Sequence, residues 1–251
     1  MKHFFSLLKH ELRTLFFAPA SYTAGFIFLM LMGFIYLLIL EEFSLKAQDV
    51  LPAEMFFQLF WIPVFFMVPL ITMKSFAEER RMGTLETLMT TPVTAFEVVM
   101  SKFLASYLLY CLLWALTMGF PLLVSFTLDS PTIMAPLLDL PTFSGSYLFV
   151  FTSGLLFIAI GILSSSLTRS QLVAGMLCFF ILFFLILGSP ALISQSAAWL
   201  PWLKPSLDYF HIFEQLEDFS RGIIDTRPLF YYLSLTALVL GVSTLVVESK
   251  A

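Results

Sequence analysis

Residues 147–188 read Tyr147-Leu-Phe-Val-Phe-Thr-Ser-Gly-Leu-Leu-Phe-Ile-Ala-Ile-Gly-Ile-Leu-Ser-Ser-Ser-Leu167, then Thr168-Arg169-Ser170-Gln171, then Leu172-Val-Ala-Gly-Met-Leu-Cys-Phe-Phe-Ile-Leu-Phe-Phe-Leu-Ile-Leu-Gly188. Two long runs without Asp, Glu, Lys, Arg or His are separated by one short polar link. Working outward, four more such runs occur, at 22–40, 55–73, 103–128 and 229–247. Each is about 17–26 residues long, enough to cross roughly 30 Å of hydrocarbon at about 1.5 Å per residue. Lipid leaves only helices and closed barrels as spanning structures, and continuous rather than alternating apolar runs mean helices. Composition agrees. Of 251 residues, 59% are hydrophobic and 12% charged, with 30 phenylalanines, against about 45–50% and about 25% in soluble domains. The expected fold is therefore all-α: a polytopic membrane protein of six transmembrane helices, treated as a single domain over 1–251. Pro63, Pro69 and Pro121 predict kinks in the second and third spans.

Basic residues set the expected orientation. With the N-terminus inside, the inner side holds Lys2, Lys9, Arg13, Lys74, Arg80, Arg81, Lys102, Arg169 and Lys250, and the outer side holds Lys46, Lys204, Arg221 and Arg227. An even number of spans returns the C-terminus to the cytoplasm. Residues 1–17 form a basic amphipathic helix, with Phe4, Phe5, Leu8, Leu12, Leu15 and Phe16 on one side, which suits the membrane interface. Glu11 projects from that apolar arc, so it either snorkels or pairs with a basic residue of the inner loop. The charges at Lys9, Glu11 and Arg13 and the lack of a small-residue cleavage site argue against a cleavable signal. The outer segment 189–228 contains Trp199, Trp202 and an amphipathic stretch at 207–220. It reads as short helices at the outer leaflet before the last span.

The inner loop 74–102 carries the most information. Charges come first, Glu78-Glu79-Arg80-Arg81. Gly83 then breaks the helix, and Leu85, Leu88 and Met89 give a short helix with one apolar face. Thr91-Pro92 ends it. Thr94 and Glu97 make a capping box, with Val93 and Val98 as a hydrophobic staple, so a new helix starts at Thr94. Two ordered helical pieces with a corner between them suit a surface that docks on a partner.

Several chemistries find no support. No Gly-x-x-x-x-Gly-Lys-Ser/Thr loop occurs, so the chain is not expected to bind ATP in the usual way. Cys111, Cys178, His3, His10 and His211 lack metal-ligand spacing. No basic cluster with interleaved aromatics suggests nucleic acid. The six runs hold no ionisable residue, which argues against an ion-coupled secondary transporter. Glu78-Glu79 resembles the start of a Glu-Glu-x-x-x-Arg protease motif, but Gly83 stands where the arginine is needed. A membrane anchor that passes ATPase work to an outer machine is not separable from a transporter on these residues.

The stretch Ser75-Phe-Ala-Glu-Glu-Arg-Arg-Met-Gly-Thr-Leu-Glu-Thr-Leu-Met-Thr-Thr-Pro-Val93, followed by Glu97 and Lys102-Phe-Leu-Ala105, resembles the signature of ABC type-2 permeases, membrane subunits of mainly exporting transporters. Lys9-His-Glu-Leu-Arg13 resembles that family's interfacial elbow helix. Phe219-Ser-Arg-Gly-Ile-Ile-Asp225, leading into Tyr231-Tyr-Leu-Ser-Leu-Thr236, resembles its gliding-motility-associated branch. The resemblance implies a transport subunit without an ATPase site of its own, in the cytoplasmic membrane of a bacterium. It implies a separate nucleotide-binding ATPase subunit carrying ATP and Mg, and a second permease, either a copy or a related chain. It places Glu78, Glu79, Arg80, Arg81, Gly83, Thr84, Leu85, Glu86 and Pro92 in coupling to the ATPase. It places Lys9, Glu11 and Arg13 in the elbow, and Phe219, Arg221, Gly222 and Asp225 in the outer segment.

Overall fold

The computed structural model describes residues 2–45, 51–85, 93–127, 139–188 and 211–250. Among them every regular element is helical, and six helical stretches are long and apolar enough to cross a membrane. In chain order the elements are α1 (Lys2–Phe16), α2 (Pro19–Leu45), α3 (Pro52–Gln58), α4 (Trp61–Thr72), α5 (Ala77–Met82), α6 (Ala95–Thr117), α7 (Gly119–Thr127), α8 (Leu140–Leu167), α9 (Gln171–Phe183), α10 (Ile212–Ser220) and α11 (Thr226–Glu248). The last turn of the α9 span, Phe184–Gly188, winds as a π-helix, which no sequence pattern announced.

Helix ends fall where local chemistry puts them. Thr94 caps α6: its hydroxyl accepts from the Glu97 N–H at 3.2 Å, and the Glu97 carboxylate accepts from the Thr94 N–H at 3.1 Å. This reciprocal box starts the helix well before the apolar run at Phe103. Asp139 caps α8 by accepting from the Thr142 N–H at 3.1 Å. The prolines act at a distance of about one turn. Pro63 offers no N–H to the Leu59 carbonyl, which accepts from Ile62 instead at 3.2 Å, and the chain breaks between α3 and α4. Pro121 acts likewise on the break between α6 and α7. Pro69 differs from expectation: α4 runs through it unbroken. Pro69 itself is buried among neighbouring side chains, and such prolines are tolerated in spans.

α8 is the central helix: 72% of its most apolar window is buried, while the other five windows range from 22% to 56%. Between helices in lipid there is little hydrophobic drive, so close packing and hydrogen bonds hold them. Gly154 lets the Tyr110 ring approach α8, since a Cβ there would lie 2.3 Å from the ring. Gly161 does the same for Thr72 of α4. Hydroxyls on α6 finish the seam: Tyr107 donates to the Phe151 carbonyl at 3.0 Å and Tyr110 to the Val150 carbonyl at 3.2 Å. Phe57 fills the core near the start of α8, edge-on to Tyr147 at 4.9 Å and stacked on Trp114 at 6.3 Å. Phe26, Phe34, Phe126, Phe180 and Leu238 point outward, as residues facing lipid do.

Candidate functional site

The second span does not end cleanly. α4 stops at Thr72, residues 73–76 form turns, and α5 begins at Ala77. One hydroxyl from α8 repairs the interruption. Ser165 Oγ donates to the Met73 carbonyl at 3.1 Å and accepts from the N–H groups of Phe76 and Ala77 at 3.0 and 3.1 Å. A hydroxyl has one proton and two lone pairs, so this one is fully used. α5 is thereby fixed to the end of the central helix. Arg80 adds a second tie: its Nη1 donates to the Ser166 carbonyl at 2.6 Å and reaches the Thr168 carbonyl at 3.5 Å. These are carbonyls that the end of α8 leaves without helical partners.

Beside this joint sits a buried ionic triad. Lys102 Nζ of α6 donates to Glu11 Oε1 of α1 and to Glu79 Oε1 of α5, both at 2.7 Å. Lys102 is 3% exposed, and its ammonium lies 5.4 Å from the centre of the Phe76 ring. The second Glu79 oxygen is enclosed without a hydrogen-bond partner. Of the two sequence readings of Glu11, pairing is the one observed. A buried ammonium is stable only when paired, and removing one partner of such a pair costs about 3–5 kcal/mol. The triad therefore locks α1, α5 and the N-terminal part of α6 into one unit. A cleft of about 350 Å³ opens beside it, with Leu15, Lys74, Glu78 and Met82 on its walls.

The expected inner-loop residues divide by direction. Glu79 and Arg80 turn inward, into the triad and the α8 end. Leu85, placed by sequence on an apolar docking face, is buried against this chain's own core. Arg81, Met82, Gly83 and Thr84 are exposed, as are Lys9 and Arg13 on α1, while Glu78 is half-buried. Gly83 ends α5 in the left-handed region at φ 72°, where a side chain would be strained. Glu86 and Pro92, with the short helix expected around Leu88 and Met89, lie outside the described residues.

The outer-segment residues serve α10 and its exit. Phe219 is buried 5.7 Å from Phe149, and its carbonyl occupies the space a Cβ on Gly145 would need. Arg221 ion-pairs with Glu217 one turn back. Gly222 turns left-handed at φ 78°, and Asp225 caps α11 by accepting from the Arg227 N–H at 2.9 Å. Tyr232 donates to Gln215 at 2.9 Å in a buried neutral contact. Of the amphipathic stretch expected at 207–220, the described part begins at 211; Trp199 and Trp202 lie outside the described residues.

Neither Lys102 nor Ser165 stands among the candidates read from the sequence. A signal existed for Lys102, the one Asp, Glu, Lys or Arg beyond the first turn of a helix whose start the capping box had fixed. None existed for Ser165. Among the described residues no group of three or more His, Cys, Asp or Glu is placed to hold a metal ion.

The family model of ABC-2 family transporter proteins matches residues 45–248, from the end of α2 to the end of α11. No match is found among curated proteins. With a match over most of its length and six helices fit to span a bilayer, the chain belongs to the ABC-2 transporter family and is a multi-pass membrane permease subunit of an ATP-binding cassette transporter.

Proposed function

We propose that this chain, working as one permease domain, couples ATP hydrolysis on a separate nucleotide-binding subunit to movement of a substrate, in the export direction. ATP and Mg bind on that subunit. A second permease, a copy or a related chain, completes the transporter in the cytoplasmic membrane of a bacterium, with both termini inside. The distribution of basic residues supports that orientation, and the 219–225 motif supports the gliding-motility-associated branch.

The observation that carries the reading is the triad. The exposed corner at Arg81, Met82, Gly83 and Thr84 is continuous with α5. α5 is joined to α1 and α6 through Lys102 and to α8 through Ser165 and Arg80. A displacement applied at the corner by a partner therefore moves the ends of four helices together. Such a corner does mechanical work and no covalent chemistry. Arg81→Glu tests it, because that side chain is exposed and the fold does not depend on it. In the complex purified with its ATP-binding subunit, the variant is expected to show weakened association and a hydrolysis rate that no longer responds to the permease. Unchanged association and unchanged response would overturn the role of the corner.

A further inference from the structure

Three cations converge on the inner end of α8, brought there by three separate segments. Arg80 from α5 reaches the carbonyls of Ser166 and Thr168. Lys250, just beyond α11, donates to the Leu167 carbonyl at 3.2 Å. Arg169 is the middle residue of the link 168–170 between α8 and α9. All three thus sit around four consecutive residues. The acids on the same elements are Glu78 and Glu79 of α5 and Glu248 of α11. Glu79 is engaged by Lys102, and among the described residues none of the three cations has an ion pair with a carboxylate.

The end of α8 accounts for part of this charge and not all of it. A helix C-terminus carries roughly half a negative charge and draws a cation to its free carbonyls. Arg80 and Lys250 use those carbonyls, and Arg169 brings a third positive charge that has no ion pair among the described residues. The crowding is felt: partial desolvation, and then the charges of Arg80 and Arg169, hold the Lys250 ammonium below the usual lysine range.

We propose that this cluster binds the phosphate of an anionic phospholipid from the leaflet at the inner ends of the spans. Depth favours a lipid over a protein. The link 168–170 is too short to rise far above the two spans it joins, so Arg169 stays at headgroup level, and Lys250 follows the last span at the same end. The projecting corner at 81–84 is the part that reaches toward a partner. Leu167, Leu172 and Leu245 are exposed near these ends and give an acyl chain an apolar surface below the headgroup. Basic pockets between spans are a recurrent form of lipid site. The site rests on the membrane spans and not on the coupling role.

The test is native mass spectrometry of the full chain in detergent, titrated with dioleoyl phosphatidylglycerol or with dioleoyl phosphatidylcholine. Wild type is expected to prefer the anionic lipid. Arg169→Gln and Lys250→Gln should each reduce its binding about fivefold, and more in combination. Arg169→Lys should keep the preference, and Arg227→Gln at the opposite end should leave it unchanged. Far-ultraviolet circular dichroism and melting temperature show that the variants remain folded. Retained preference in the double variant overturns the proposal. So does equal competition by millimolar inorganic phosphate, which would make this a free-phosphate site. Loss of association with the ATP-binding subunit at unchanged lipid preference would make it a docking face instead, and equally overturns the proposal.

Discussion

The two ends of the molecule are joined by different chemistry. At the end that carries α1 and α5, the helices α1, α5, α6 and α8 meet through charge: a triad on Lys102, a guanidinium on free carbonyls, and one saturated serine hydroxyl. At the opposite end, α10 is held by shape. Phe219 is buried on Phe149, the Gly145 backbone makes room for it, and the buried polar contact there, Tyr232 to Gln215, is neutral. Charge-based joints are strong only when complete. Losing one member leaves uncompensated buried charge, whereas losing a neutral contact costs little. The end at α1 and α5 is thus the cooperative one, where a displacement of one helix is felt by several.

This contrast can be broken or sharpened by substitution. The largest effect is expected for Lys102→Met, which leaves two partly buried carboxylates facing each other without their cation: up to about 3–5 kcal/mol lost, read as a fall in thermal stability in detergent. Adding Glu11→Gln and Glu79→Gln should recover much of that loss; if it does not, Lys102 acts through packing alone. Ser165→Ala comes next. It strips partners from two N–H groups and one carbonyl, and about 1–3 kcal/mol is expected, with faster hydrogen exchange at Phe76 and Ala77. Gly145→Ala probes the other end. Its Cβ meets the Phe219 carbonyl, so α10 must shift, at about 1–3 kcal/mol, seen as protease sensitivity after residue 211 while the end at α1 and α5 stays protected. The smallest effect belongs to Tyr232→Phe, about 0.6 kcal/mol, measured by the same thermal method. A loss there comparable to Lys102→Met would erase the contrast.

The same contrast explains what could be read from the chain. All six spans were legible because lipid imposes a length and an uncharged interior, and Thr94 and Gly83 mark helix boundaries in the sequence; the Asp139 and Asp225 caps carry α8 and α11 back beyond the runs expected from 147 and 229. Glu11 announced itself by sitting on an apolar arc. Lys102 left a signal of its own, but the pairing did not, since Lys102 lies 91 residues along the chain from Glu11 and pairing at that separation leaves no local trace. Ser165 stands in a row of three serines, and nothing local says which faces the break in the second span. Leu85 was placed by an amphipathic pattern, and such a pattern cannot say whether another protein or the chain itself covers an apolar residue.

The central claim is that the corner after α5 receives an ATP-binding subunit. Met82, 59% exposed beside Gly83, is the position to use, since Leu85 is buried. A single cysteine at Met82, in a chain with Cys111 and Cys178 replaced by serine and alanine and the variant checked for folding, should cross-link to the ATP-binding subunit in membranes and resist thiol reagents added from outside the cell. Labelling from outside, or no cross-link in a complex that still co-purifies, would contradict the account.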